Sequence, residues 1–243
     1  MGSKVSPSNP LILSKFSTKR QRFNPKIITF SSASNTQNQQ GPISTSTSTQ
    51  TQRESEPYKV NFRTLGASKL GIARYPNFEY NAQGGKGTGS ASKVEDSDLG
   101  DEILVCFDLK TLYIPPLTSS TTKFLGLPLP PFLKIEIDPE LFQGSIDKNS
   151  GKVDLQFKAK FRFSVGSIYR APPLLVETVL TSEESVGRMR RGRGERLDKQ
   201  GKCRLVGVAT VDPIDDFLMN SFLQLPTECL ADLNAIISFS DST

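Results

Sequence analysis

Between residues 153 and 165 apolar and polar side chains alternate without a break. Val153, Leu155, Phe157, Ala159, Phe161, Phe163 and Val165 fall on one parity, and Asp154, Gln156, Lys158, Lys160, Arg162 and Ser164 on the other. A period of two sustained that long predicts a strand with one buried and one solvated face, as antiparallel sheets have. A partner strand is predicted just upstream, where Leu133, Ile135 and Ile137 alternate with Lys134, Glu136 and Asp138. Between the two, Asp147-Lys148-Asn149-Ser150-Gly151-Lys152 supplies turn residues. A similar run, Asp198-Lys199-Gln200-Gly201-Lys202, precedes residues 203–211, so the pattern predicts two hairpins rather than a duplicated domain. Segments 102–109 and 174–181 complete a set of at least five strands. Leu174-Leu175-Val176 and Leu205-Val206-Gly207-Val208-Ala209 are apolar on both parities, which suggests central strands.

After Asp212-Pro213 the spacing changes. Ile214, Phe217, Leu218, Phe222 and Leu225 recur at helical intervals, with Asp212 placed to cap and Pro213 at the first turn. Pro226-Thr227-Glu228 is read as the start of another short helix through Cys229, Leu230 and Leu233. The expected fold over residues 99–243 is therefore mainly β: an antiparallel β-sandwich or barrel-like domain with one or two short C-terminal helices.

Two other regions precede that domain. Residues 54–98 carry Tyr58, Phe62, Leu65, Leu70, Ile72, Tyr75, Phe78 and Tyr80, enough apolar material to pack against a larger body. The segment then passes into Gly84-Gly85-Lys86-Gly87-Thr88-Gly89-Ser90 and an acidic stretch through Glu95, Asp96, Asp98 and Asp101, a composition that reads as a flexible linker. Residues 1–53 contain no Asp or Glu, hold seven of the 30 basic residues, and are crowded with Ser and Thr. A basic, hydroxyl-rich, acid-free leader reads as an organelle transit peptide. Scarce Arg, and Pro7, Pro10, Pro25 and Pro42 interrupting any long helix, favour the chloroplast over the mitochondrion. The rival reading is N-myristoylation and membrane anchoring, because Met1-Gly2-Ser3-Lys4-Val5-Ser6 fits that short pattern.

Removing the leader changes the electrostatic picture. The whole chain is +5, but outside residues 1–53 there remain 23 basic residues against all 25 acids, a balance of −2. The basic pI of about 9.1 thus belongs to the leader, and nucleic acid is disfavoured as a partner of the remainder. The most apolar uncharged run, 124–133, is too short and too rich in proline to span a bilayer, so no transmembrane segment is expected. The expected location is the stroma or the stromal face of the thylakoid. Cys106, Cys203 and Cys229 show no paired spacing and read as small core residues.

No motif nominates a catalytic centre. The chain has no histidine, which removes His-based triads, His-containing zinc sites and His-ligated haem. The glycines at 84–89 superficially resemble a phosphate loop, but Lys86 is followed by Gly87 rather than Ser or Thr, and no helix opens behind it. Asp212, Asp215 and Asp216 lie at a helix start, where acids suit the dipole. An enzyme reading would need carboxylates, Lys, Ser or Cys to converge, for instance Glu177 with Lys160 from neighbouring strands. No catalytic residue, metal ligand or cofactor is assigned.

Two surfaces remain as candidates. Arg188, Arg190, Arg191, Arg193 and Arg196 form the densest charge cluster, a basic loop suited to anionic lipid headgroups or an RNA backbone, though without aromatics for base stacking. Three Pro-Pro pairs, at 115/116, 130/131 and 172/173, sit between apolar residues. Such pairs stop or start strand ladders; gathered at one end of a sheet they would form a pocket mouth or an apolar edge of Leu125, Leu127, Leu129 and Phe132. The expected function is a non-catalytic plastid protein that binds an apolar small molecule or lipid, or docks on a thylakoid-surface protein. A histidine-free plastid enzyme and an RNA-contacting factor acting through residues 188–196 are the alternatives.

Overall fold

The computed structural model describes residues 58–93 and 102–240. The expected transit segment and the acidic stretch 95–101 lie outside the described residues. The first strands are β1 (Tyr58–Thr64), β2 (Ser68–Ile72), β3 (Phe78–Tyr80), β4 (Lys86–Lys93) and β5 (Glu102–Phe107). Then come β6 (Thr122–Phe124), β7 (Leu127–Pro128), β8 (Leu133–Asp147), β9 (Val153–Val165), β10 (Tyr169–Arg170) and β11 (Leu174–Thr181). The chain closes with β12 (Glu184–Val186), β13 (Arg191–Arg193), β14 (Lys202–Val211), the helix α1 (Phe217–Leu223) and β15 (Thr227–Ser240).

The pairings β1–β4–β5–β8–β9–β11–β14–β15 return to β1, all antiparallel and all in chain order. The expected mainly β, antiparallel fold is thus what forms: a large ring-like sheet with one short helix near the C-terminus. It is not a true barrel, because β11 meets β14 at a single pair, Thr181↔Val206. Beyond that pair side chains replace the ladder. Thr178 Oγ1 donates to the Val208 carbonyl at 2.9 Å, and the Val208 N–H donates to Ser185 Oγ at 3.0 Å. A backbone group away from water needs such a partner where its ladder ends. A side sheet, β2–β3–β6–β7, hangs from the first half of β15 through the register Cys229↔Ile72 to Asp232↔Lys69.

The ring is filled by its own side chains. Val60, Phe62, Ile103, Phe142, Ile146, Leu155, Leu205 and Ile237 are buried inside it. The Phe107 and Phe142 rings stack at 4.6 Å, while Phe62 and Phe157 meet Phe142 edge-on at 5.0 and 6.0 Å. The alternation of β9 is realised: Val153, Leu155 and Ala159 are buried, whereas Gln156 and Arg162 are exposed. On the outer face Lys160 pairs with Glu140 at 2.5 Å, and Arg162 pairs with Asp138.

Four expectations are corrected. First, the partner of β9 is a 15-residue strand, longer than the alternation at 133–138 predicts. A bulge between Pro139 and Leu141 moves its apolar positions from Ile135 and Ile137 to Phe142 and Ile146, so the periodicity breaks although the strand does not. Second, residues 58–93 are not an extension with a linker but strands β1 to β4 of the same sheet. Gly89 in β4 lets its backbone approach β5, where a Cβ would lie 2.2 Å from the Cys106 carbonyl oxygen.

Third, the helix expected after Pro226 is strand β15. Its ten-residue ladder with β14, and its second neighbours β1 and β2, outweigh any local helical spacing. Fourth, α1 is capped by Asp216 rather than Asp212: Asp216 Oδ1 accepts from the Met219 N–H at 2.8 Å. β14 runs to Val211, so residues 212–216 are needed to cross from strand to helix, a turn held by Asn220 bonding both the N–H and the carbonyl of Ile214.

The two predicted turns form as read, with different consequences. Asp147 Oδ1 accepts from the Asn149 and Ser150 N–H groups, and Gly151 supplies the left-handed residue at φ 72° that closes β8 onto β9. Asp198 caps its own turn in the same way, but there the preceding chain forms one bridge with β14, Glu195↔Arg204, in place of a ladder. The segment before it has instead folded into the hairpin β12–β13, which lies over the outer face of β14 and β15.

Candidate functional site

One end of the ring gathers most of the exposed apolar side chains. β8 begins and β9 ends there (Leu133↔Val165), β14 ends and β15 begins there (Val211↔Thr227), and α1 crosses between them. The β6–β7 tip joins this end through the pairings of β3 with β6 and of β2 with β15. At it Leu125, Leu127, Phe132 and Ile168 are 70, 70, 78 and 90% exposed. Phe217, Leu218 and Phe222 of α1 are exposed beside them, while Met219 and Leu223 are buried.

These tips are shaped by specific turns. Leu125 and Gly126 both take positive φ, 52° and 78°, between the paired Phe124 and Leu127. That is a two-residue hairpin turn, a position where Asn-Gly is the favoured pair and Leu is strained. Phe132 is also left-handed, at φ 72°, with its carbonyl accepting from the Gly166 N–H at 2.9 Å. That bond ties the β7–β8 loop to the β9–β10 turn, and Ile168 projects from the latter. Tyr169 links the turn to α1, its hydroxyl donating to Asp216 Oδ2 at 2.9 Å.

Three of the four residues expected at the apolar edge are exposed there, and Leu129 is not. It is 6% exposed, because its N–H continues the β6–β7 ladder to the Thr122 carbonyl and turns the side chain inward onto Tyr80, Leu117 and Ile135. Sequence reasoning missed Ile168, whose only signal is a lone apolar residue in the turn Gly166-Ser167-Ile168. It also missed the outward face of α1, because the apolar periodicity there marks no side as buried.

The proline pairs sit just outside the ladders around this end. Pro115 is buried and its carbonyl accepts from the Tyr80 hydroxyl, just before Leu117 bridges to Ile135. Pro130-Pro131 precedes β8 and Pro172-Pro173 precedes β11.

The basic segment forms the hairpin β12–β13 and its tip, and its arginines have divided roles. Arg190 turns inward. Its guanidinium donates to Asn77 Oδ1 at 2.7 Å and to the carbonyls of Ile72 and Tyr75, pinning the β2–β3 turn. Arg196 pairs with Glu183 at 2.5 Å. The tip itself is seized by a buried carboxylate: Glu228 accepts the N–H groups of Arg188, Met189 and Arg190 at 2.7, 2.7 and 3.0 Å. Burial opposes the Glu228 charge, but those three donors and the nearby Arg188 outweigh it and hold the carboxyl below its ordinary range. Arg188, Arg191 and Arg193 remain exposed and make no ion pair with any described residue.

The interior offers little room beside these surfaces. A partly open recess of about 30 Å³ lies against Phe62, Leu112, Phe142, Phe157 and Leu180, far smaller than a small-molecule pocket. A hollow of about 400 Å³ over Thr88, Ser90, Cys106 and Asp108 is an open depression of the outer surface. Cys106 is exposed there, whereas Cys203 and Cys229 are desolvated and their thiols pushed up to about 12 and about 11. The pair considered for catalysis does not converge in a cleft: Lys160 bonds Glu140 on the outer face, and Glu177 stands exposed opposite Lys158.

Among the described residues no helix is long and apolar enough to cross a membrane, and no group of three or more acidic or Cys side chains is arranged for a metal ion. Compared with known proteins, the chain matches no family model, no curated protein and no solved structure.

Proposed function

We propose that this chain is a non-catalytic plastid protein whose β-domain docks on the thylakoid membrane surface through its apolar end. The observation that carries the reading is the exposure of Leu125, Leu127, Phe132 and Ile168 on neighbouring turns, two of them held in left-handed backbone. Strain kept at an exposed apolar tip is retained at a cost of about 1–3 kcal/mol per residue, and such outliers gather where a surface is used. Single apolar tips on separate turns suit a bilayer, which deforms around each one, better than a protein face, which needs a matching pocket for each. The filled interior favours contact with lipid at the surface over a ligand held inside.

Each tip would contribute roughly 1.5–3 kcal/mol at full burial, offset by the cost of immobilising the protein. The double variant Leu127→Ser/Phe132→Ser should therefore bind thylakoid-lipid vesicles at least tenfold more weakly in a sedimentation assay. Its melting temperature should stay within about 2 °C of wild type, because neither side chain leaves a cavity. A variant that melts early yet binds vesicles unchanged would retire the membrane reading.

The plastid part of the proposal rests on the acid-free leader. A fluorescent fusion carrying residues 1–53 should enter chloroplasts, and one lacking them should stay outside. Plasma-membrane labelling abolished by Gly2→Ala would establish the myristoylated alternative instead.

A further inference from the structure

We infer that the β12–β13 hairpin is a preformed arm for anionic headgroups, which would make the docking selective for bilayers carrying negatively charged lipid. The inference rests on the membrane reading above and adds a chemical preference to it.

The charges around the apolar end are mixed and give it no net preference. Lys134 is neutralised by Glu136 at 2.5 Å, and Lys123 stands opposite Glu79 across β6 and β3. The exposed Arg74 and Arg170 are matched in number by Asp212 and Asp215, exposed beside α1. The hairpin differs. Gly192 faces the sheet, where a Cβ would come within 3.0 Å of Leu230 Cδ1 and 3.2 Å of Val206, so Arg191 and Arg193 on either side of it face solvent. Two residues along a strand set them about 6.6 Å apart. Arg188 adds a third exposed cation at the tip, and Glu184, across from Arg193, is the acid facing them on the two strands.

The arm is also held in place before any ligand arrives. Ser185 Oγ is anchored to the Val208 N–H, the tip backbone to Glu228, and the Arg190 guanidinium to the β2–β3 turn. A fixed display of guanidinium groups loses less entropy on binding than a mobile basic loop. The tip lies at the apolar end, since Glu228 is the second residue of β15 and Tyr75, which Arg190 holds, bonds the Phe222 carbonyl of α1 at 2.5 Å. Val186 and Met189 are exposed on the same hairpin, and the described arm carries no aromatic side chain. Guanidinium groups interleaved with aliphatic side chains fit the phosphate and glycerol level of a bilayer, whereas single-stranded RNA is held by stacking on aromatics.

The test compares full-length chains only, because the leader carries seven cations of its own and must be common to every sample. Vesicles are either neutral galactolipid or galactolipid with 30% phosphatidylglycerol. Wild type should bind the charged vesicles at least tenfold more tightly, with the difference shrinking as salt rises. Arg188→Ser/Arg191→Ser/Arg193→Ser should lose most of that preference, keep its affinity for neutral vesicles, and melt within a few degrees of wild type, the small loss coming from Arg188 beside Glu228. The Leu127→Ser/Phe132→Ser chain should bind both vesicle types at least tenfold more weakly and keep the ratio between them.

A triple variant that retains the full phosphatidylglycerol preference would overturn the inference while leaving membrane docking intact. So would equal wild-type binding to the two vesicles. Absence of wild-type binding to either would overturn both. RNA retained on a gel by wild type and released by the triple variant, without any vesicle preference, would assign the arm to RNA and overturn it as well.

Discussion

Replacing Phe157 with Asp should unfold the domain, while replacing its neighbour Lys158 with Asp should leave it folded. Phe157 lies on the ring-facing side of β9 and meets Phe142 edge-on at 6.0 Å, next to Leu155 and Leu180. Phe157 is half-buried, so a carboxylate there sheds part of its hydration without gaining a donor and forfeits the aromatic packing as well, together at a cost of several kcal/mol. The sum approaches the whole stability of a domain this size, about 5–15 kcal/mol. Lys158 lies on the outer face, 4.0 Å from Glu140 and across from Glu177. Losing so loose a pair and adding one like charge should cost about 1 kcal/mol or less. Circular dichroism melts of the two variants decide it, and equal losses would mean that the two faces of β9 are reversed.

Glu228→Ala should produce the second large effect, roughly 3 kcal/mol of stability, because it leaves three tip N–H groups without their acceptor and removes the clamp on the hairpin. The same contact gives a pH signature. The folded-state pKa of Glu228 is depressed below its ordinary 4.5, so its contribution is complete above about that value and is lost as pH falls through the depressed one. The stability gap between wild type and Glu228→Gln should therefore be widest at neutral pH and narrow below pH 4. Proteolysis within residues 184–193 should accelerate in Glu228→Ala at neutral pH before the rest of the chain is cut. A gap that stays constant from pH 7 to pH 3 would show that the Glu228 charge contributes nothing to holding the tip.

The basic segment shows why composition alone misjudges a surface. Five arginines looked equivalent in the sequence, yet Arg190 is spent on backbone carbonyls and Arg196 on Glu183, and three remain for a partner. The partners that consume Arg190 are more than 110 positions away along the chain, so nothing local marks it. The apolar edge behaves similarly. Leu125, Leu127 and Phe132 could be nominated from their proline-rich surroundings, but Leu129 shares those surroundings and turns inward, a distinction made by one ladder bond to Thr122.

By itself the sequence determined what short-range physics controls: the period-two alternation of β9, the Asx-capped turns at Asp147 and Asp198, a helix near residue 217, and the antiparallel, mainly β character of the whole. Those features depend on side chains one to four positions apart. What only the tertiary structure decided depends on partners far along the chain. β15 is a strand because β14 and β1 offer it ladders, not because its own spacing demands it. Within the glycine run, residues 86–90 form strand β4 because β1 pairs along them and β5 joins the other edge from Gly89, where a small residue permits the close approach. The same holds for the candidate surface, which exists only where ring closure brings the β6–β7, β7–β8 and β9–β10 turns, α1 and the arginine hairpin to one end.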